Sequence, residues 1–176
     1  MKKLSFLGIA TLVLTLFLTT NITAQEFRGL DKSPMDAAIY RTSRKAPAMV
    51  KVIYSRPQLK GRELSKLAPN GKVWRTGANE ATSITLYNDM KIEGKLVKAG
   101  EYSLFTIPGD KEWTIIINKD INVWGAYSYN EANDVIRVSA PVSTGEKTLE
   151  AFSIAFTEGN MHLGWGTTRV TVPITK

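Results

Sequence analysis

The sequence predicts an all-β fold: a single antiparallel β-sandwich, jelly-roll or immunoglobulin-like, with a closed barrel as the alternative. Apolar and polar residues alternate over short runs, which is typical of strands with one face toward a core and one toward solvent. Turn-forming residues separate these runs at intervals of about 8–12 positions. The 176 residues, 43% of them hydrophobic, suffice for one such domain with a real core.

The candidate strands follow one another through the chain. They span residues 49–54, 82–87, 101–107, 113–117, 134–138, 149–156, 161–165 and 168–174, with two shorter ones within 91–97. A hairpin is predicted around Pro108-Gly109-Asp110, because this tripeptide favours a turn. A tight turn is likewise expected at the middle of 91–97.

Two segments admit a helical interpretation. The run 149–156 could be helical by composition, but Phe152, Ile154 and Phe156 alternate, which favours a strand. Residues 63–68 resemble a short helical turn ended by a Pro-Asn-Gly sequence. The rest of the chain contains no long-period repeat and no domain linker.

The first 24 residues have the pattern of a secretory signal peptide. A positive start is followed by an apolar run over residues 4–18 and by the small residue Ala24 at the expected cleavage position. The run is shorter than the roughly 20 residues of a bilayer-spanning helix; an uncleaved anchor is the alternative. We therefore expect an exported protein, periplasmic or extracellular, with a signal peptide at 1–24, a flexible lead-in at 25–34 and a β domain at 35–176.

Positive charge is concentrated in one part of the chain. The sequence has 23 Lys and Arg against 16 Asp and Glu, and removal of Lys2 and Lys3 with the signal peptide leaves 21 against 16, a net charge of +5. Ten basic residues and only Glu63 fall between Arg41 and Arg75, a local charge of +9. The remainder of the mature chain therefore carries −4, and an anionic partner would meet the basic segment.

Composition excludes several kinds of site. The absence of cysteine excludes disulfides, thiol catalysis, cysteine-ligated zinc and iron–sulfur clusters. A single histidine, His162, excludes a site that needs two imidazoles from one chain. The oxygen-rich stretches 118–120 and 130–134 lack the alternating acidic loop with a central glycine that calcium sites use. We expect no cofactor and no metal ion.

Three distinctive stretches carry a family resemblance. They are Tyr54-Ser55-Arg56-Pro57 with Lys60-Gly61-Arg62, then 71–82 (GKVWRTGANEAT), and 99–109 (AGEYSLFTIPG) followed by Trp124-Gly125-Ala126-Tyr127. With these stretches the sequence, from about Ser33 to the C-terminus, resembles the DUF2911 family, exported proteins found largely in Bacteroidetes-type bacteria. The resemblance implies export and a single β-rich domain. It supplies no catalytic residue, because the family has no assigned activity.

The arginines of the basic segment form the candidate ligand site. A guanidinium can hold a carboxylate, sulfate or phosphate through two parallel hydrogen bonds, and Gly71 and Gly77 allow the backbone to approach a ligand. The predicted ligand-binding residues are Tyr54, Arg56, Arg62, Trp74, Arg75, Asn79 and Glu80. The alternative is that Glu80 pairs with an arginine and only holds a loop over the sandwich.

An aromatic platform for sugar rings is a second hypothesis. Its members would be Trp124, Tyr127, Tyr129 and Trp165. Trp165 lies between Gly164 and Gly166 and is expected to have an open face, although tryptophans in small β domains also fill cores.

The most consistent function is that of a binding or envelope-associated module for an anionic or carbohydrate-like ligand, rather than an enzyme. The alternative is a hydrolase of an envelope glycan or ester with Glu80 or His162 as acid/base. Nucleic acid is not expected as a partner, because the basic residues are not interleaved with aromatic ones. No transmembrane segment is expected after signal cleavage, and the oligomeric state is open.

Overall fold

In a computed structural model, residues 26–176 are described, and the predicted signal peptide at 1–24 lies outside them. Residues 31–176 form one compact unit. Its strands are β1 (Met35–Tyr40), β2 (Val50–Ser55), β3 (Thr82–Leu86), β4 (Met90–Ile92), β5 (Lys95–Val97), β6 (Gly100–Ile107), β7 (Glu112–Asn118), β8 (Asp134–Thr157) and β9 (Asn160–Thr175). The only helical pieces in the described range are α1 (Leu64–Leu67) and a single 3-10 turn (Glu131–Asn133).

The nine strands form one antiparallel sheet in the order β1-β2-β3-β6-β7-β8-β9-β4-β5. The all-β prediction is therefore confirmed. The barrel alternative is wrong, because β1 and β5 are the two ends of this order and do not pair with each other. The predicted hairpin is confirmed, because β6 pairs with β7. The tight turn predicted within 91–97 is confirmed as well, because β4 pairs with β5 across Glu93 and Gly94.

Strand β8 runs for 24 residues and links the two halves of the sheet. Its first part pairs with β7 as far as Pro141, and from Val142 onward it pairs with β9. Register shifts between Thr144 and Leu149 and between Leu149 and Ser153 disturb the ladder, as β-bulges do when they bend a strand. The segments predicted as 134–138 and 149–156 thus belong to one strand.

The core lies between these halves and has a densely packed aromatic centre. Trp74, which precedes β3, stacks on Trp165 of β9 with ring centroids 5.5 Å apart. It meets Trp113 of β7 and Phe152 of β8 edge-on, at 6.0 and 5.0 Å. Such pairs add to the stabilisation from burial. The segment before β3 is therefore anchored to both halves of the molecule.

The loop between β7 and β8 covers the outer face of the sheet. Beneath it Phe105 is buried and packs against Tyr129, with centroids 5.1 Å apart. Asn118 Nδ2 donates to the Asn130 carbonyl at 3.0 Å, and Ser103 Oγ donates to the Asp120 carbonyl. These contacts fix the loop as one wall of a groove described below. Within residues 26–176, no helix is long and apolar enough to cross a membrane.

Candidate ligand-binding site

Each of the three guanidinium nitrogens of Arg56, one of the predicted ligand residues, donates a hydrogen bond to the protein. Its Nε donates to the Phe152 carbonyl at 3.0 Å, Nη1 to Asp36 Oδ2 at 3.1 Å and Nη2 to Ser153 Oγ at 2.7 Å. Sequence reasoning missed Asp36 and Ser153 because both lie on strands whose neighbours only the fold reveals. Arg56 therefore holds β2 against β8.

Tyr54 lies at the same contact between β2 and β8. Its side chain is buried, packs edge-on against Phe152, and its hydroxyl accepts a hydrogen bond from the Ile154 amide at 2.9 Å. Burial raises the pKa of Tyr54, since the phenolate would lose its hydration. The hydroxyl serves the fold, and only part of the residue borders the groove described below.

Arg62 lies apart from the other predicted residues, on the loop after β2. It is exposed, and its Nε and Nη2 donate to the carbonyls of Leu59 and Gln58 at 2.9 and 2.7 Å. Of four prominent surface cavities among the described residues, one is lined by Arg62 and none by Arg56 or Arg75. The three arginines do not share one pocket.

Trp74 and Arg75 differ sharply although they are adjacent. Trp74 is 5% exposed and belongs to the core. Arg75 is half-buried, and its Nε is buried without a hydrogen-bond partner. Such an unsatisfied donor is uncommon in folded proteins, so the Arg75 segment carries an energetic cost that its surroundings must offset.

The backbone after Arg75 is strained. Thr76 has φ of 55° and Asn79 of 61°, in the left-handed region. Thr76 is β-branched and buried, which makes this conformation a genuine outlier; its hydroxyl lies 3.1 Å from that of Thr106. Gly77 is so close to β2 that a Cβ there would lie 2.9 Å from the Ser55 carbonyl. Residues 75–80 are thus held in one unusual shape.

This shape delivers Glu80 to a cavity on the outer face of the sheet. The cavity has a volume of about 230 Å³. We call it the outer groove, and its lining residues are Met35, Ile53, Tyr54, Ser55, Glu80, Ala81, Ser83, Glu101 and Asn122. Glu101 and Ser83 occupy outward positions of β6 and β3, and the alternation of side chains along a strand predicts that both face solvent. Only the order of the strands in the sheet shows that they lie beside Glu80.

Two exposed aromatic residues, Trp124 and Tyr127, lie on the β7–β8 loop, which forms one wall of the outer groove. Glu80 forms an isolated β-bridge with Trp124, and the Gly125 amide donates to the Asn79 carbonyl at 3.0 Å. Trp124 is 60% exposed and Tyr127 86%. Backbone pairing therefore ties Trp124 to Glu80 at the edge of the outer groove.

The remaining members of the predicted platform face elsewhere. The expectation of an open face on Trp165 is wrong: it is 1% exposed, and its Nε1 donates to the Glu150 carbonyl at 3.2 Å. The space at Gly164 is occupied by Leu149, whose Cδ1 lies 2.8 Å from where a Cβ would be. Tyr129 is half-buried and donates to Asp134 Oδ2 at 2.6 Å; burial raises its pKa.

His162 does not contribute to the outer groove. It lies half-buried on β9, with Nδ1 3.1 Å from Thr171 Oγ1, and borders none of the four cavities. Across residues 26–176, no three His, Cys, Asp or Glu side chains gather as metal ligands would.

Comparison with known proteins gives a relationship without an activity. A family profile described as "Protein of unknown function (DUF2911)" matches residues 33–174, nearly all of the compact unit. No curated protein and no solved structure matches the chain.

Proposed function

Because the chain belongs to the DUF2911 family, which carries no assigned activity, we propose from the groove geometry that it is an exported module binding a carbohydrate-like ligand. Export rests on the signal-peptide pattern of residues 1–24. The observation that carries the binding proposal is the backbone pairing of solvent-exposed Trp124 with Glu80, which lines the outer groove.

The lining of the outer groove suits a sugar. The exposed ring of Trp124 offers an apolar face on which the C–H groups of a pyranose can pack. Glu80, Glu101, Ser83 and Asn122 supply acceptors and donors for hydroxyl groups. A volume of about 230 Å³ is below the roughly 300–1,000 Å³ of pockets that enclose drug-sized ligands. The groove therefore takes a single ring, with the rest of a chain lying over Trp124 and Tyr127.

The arginine-centred version of the hypothesis receives less support. Every nitrogen of the Arg56 guanidinium has a protein acceptor, so a ligand there would have to replace bonds that hold β2 to β8. None of the residues lining the outer groove is basic. A neutral carbohydrate is the better match for this groove.

The test is a thermal-shift and tryptophan-fluorescence screen of residues 25–176 against chito-, cello- and xylo-oligosaccharides and soluble peptidoglycan fragments. At least one should raise the midpoint of unfolding, because a ligand that binds only the folded state stabilises it. Trp124→Ala should weaken that binding about tenfold, the loss of one stacking contact. The matched control is Tyr87→Ala, another exposed aromatic, which lies outside the groove. Unchanged affinity in Trp124→Ala would refute the proposal.

A hydrolase is the second candidate, and one observation favours it. Glu80 and Glu101 line the same groove, which supplies the two carboxylates that glycoside hydrolysis uses. Release of reducing ends from a sugar that binds, lost in Glu80→Gln or Glu101→Gln while affinity is kept, would establish the enzyme. Glu112→Gln, at an exposed position outside the groove, is the control. Absence of any product from the wild-type protein would leave the binding function alone.

A further inference from the structure

A second cavity is lined by cationic side chains, whereas the charged residues of the outer groove are acidic. It has a volume of about 400 Å³, and we call it the basic groove; its lining residues are Lys32, Ser33, Gln58, Lys60 and Arg62. Three of the five are cationic and none is acidic. We propose that the basic groove binds a phosphate group, as a site distinct from the outer groove.

Both walls of the basic groove are fixed by backbone pairing. Gln58 forms an isolated β-bridge with Ala151 of β8, and the Leu59 amide donates to the Glu150 carbonyl at 2.9 Å. The opposite wall is joined to the same loop, because the Arg56 amide donates to the Pro34 carbonyl at 3.0 Å. A backbone hydrogen bond therefore joins the segment that follows Lys32 and Ser33 to the segment that leads into the 58–62 loop.

The loop itself is preset in a tight conformation. Lys60 and Gly61 have φ of 49° and 74°, two consecutive left-handed residues. The Lys60 amide donates to Glu150 Oε1 at 2.6 Å, and the Arg62 amide closes the turn on the Leu59 carbonyl at 3.0 Å. A ligand meets a loop whose backbone is already ordered, so binding costs little backbone conformational entropy.

The Arg62 guanidinium is held in one orientation by two hydrogen bonds, and its Nη1 remains available to a ligand. Nε and Nη2 each give a hydrogen bond to a carbonyl of the same loop, while Nη1 makes no hydrogen bond to any residue that the structure describes. Lys32 and Lys60 are exposed and form no ion pair within residues 26–176. Their ammonium groups are free to approach an anion from the same groove.

This arrangement suits phosphate in particular. A phosphate monoester carries about −1.5 to −2 charges at neutral pH and three acceptor oxygens, which matches one guanidinium fork and two point charges. The group could belong to a soluble phosphate monoester or to the monoester headgroup of phosphatidic acid. Because all three cations are exposed, their attraction for phosphate is screened by salt.

Two probes distinguish these sources, both used at low salt. Calorimetry measures the binding of sn-glycerol 3-phosphate, and sedimentation measures the binding of phosphatidylcholine vesicles with or without phosphatidic acid. The double variant Lys32→Ala/Lys60→Ala should weaken binding about tenfold or more, since each lysine near an anionic surface contributes about 1 kcal/mol. The matched control, Lys72→Ala/Lys91→Ala, removes the same charge from exposed positions outside the groove. Arg62→Lys should bind less tightly than wild type and more tightly than Arg62→Ala.

The two probes distinguish a soluble phosphate ligand from a lipid headgroup. Binding of the soluble ester alone supports a free phosphate ligand, and binding of anionic vesicles alone supports a lipid headgroup. Failure of both probes would overturn the proposal, and so would equal weakening by the groove variant and its control. Circular dichroism and the unfolding midpoint of each variant establish that it is folded, which is expected because neither lysine side chain is hydrogen-bonded to another described residue.

Discussion

Thr76 shows how a single residue shapes the outer groove. A β-branched side chain in the left-handed region costs of order 1–3 kcal/mol, and here it persists because the hydroxyl faces Thr106 and the carbonyl accepts a hydrogen bond from Thr82 Oγ1 at 2.7 Å. The turn at Thr76 redirects the chain from the Trp74 stack toward Glu80. A strained buried residue thus connects the core with the groove.

Gly77 allows this redirection by its missing side chain. We predict that Gly77→Ala destabilises the protein by about 1–3 kcal/mol, the usual cost of forcing an atom into packed surroundings, because its Cβ would meet the Ser55 carbonyl at 2.9 Å and Thr82 Oγ1 at 3.1 Å. Urea unfolding followed by tryptophan fluorescence measures the change. Gly29→Ala is the control, since nothing lies within 4 Å of its added Cβ; equal stability of the two variants would contradict the prediction.

Trp165 marks the limit of residue-scale prediction. Glycines on both sides suggested an accessible ring, but neighbouring side chains use the space that a glycine leaves. The guanidinium of Arg169 packs on Gly145, and Leu149 packs on Gly164. A glycine in sequence therefore indicates close approach by some group, and only the packing shows that the group is the protein itself.

At the scale of elements, the β4–β5 hairpin is the clearest case of a turn dictated by local chemistry. Glu93 and Gly94 lie between the paired residues Ile92 and Lys95, with φ of 47° and 74°. Two left-handed residues in a two-residue loop correspond to a type I′ turn, for which Asn-Gly is the preferred sequence. Glutamate is a poor choice at its first position.

We therefore predict that Glu93→Asn stabilises the protein by about 0.5 kcal/mol, because Asn adopts positive φ more readily than Glu. Glu93→Val should do the reverse, since a β-branched residue strongly resists this conformation. The midpoint of urea unfolding reports both. A Glu93→Asn protein no more stable than wild type would contradict the type I′ explanation.

Other elements show why the sequence alone predicted some strands and missed β1. The alternation in β3 is strong because only one of its faces lies in the core. Strands β6 and β7 are predicted from their apolar and β-branched runs, and each is buried over four consecutive residues because the β7–β8 loop covers their outer face. The sequence of β1 is MDAAIY, whose small and acidic middle residues hide the period of two. Asp36 is suited to that position because it pairs with Arg56, the residue directly after β2. No local pattern reveals this contact.

At the scale of the whole molecule, the two halves of the sheet meet at the seam formed by Asp36, Tyr54, Arg56, Ser153 and Ile154. The polar contacts at this seam join β2 to β8. Sequence analysis assigned Tyr54 and Arg56 to a ligand because arginine and tyrosine are versatile binding groups. Charge along a chain does not show which side chains the fold has already paired, and this is why the arginine site could not be resolved from sequence.

We predict that Arg56→Met destabilises the protein by about 2 kcal/mol, because hydrogen bonds to charged groups contribute more than neutral ones and Asp36 loses its partner. Carbohydrate binding at the outer groove should be retained in the folded fraction. Guanidinium unfolding and the sugar titration measure the two properties separately. Arg44→Met, which removes an exposed arginine with no hydrogen bond within the described residues, should change stability by less than about 0.5 kcal/mol.

The Tyr54–Ile154 hydrogen bond has a kinetic consequence. It joins positions separated by 100 residues in the chain, and β8 cannot complete its ladder until β9, at the C-terminus, has emerged. Folds closed by such distant pairings form slowly, on the order of milliseconds to seconds. The sheet is therefore completed late in folding, and the chain has no cysteines that could cross-link before that point.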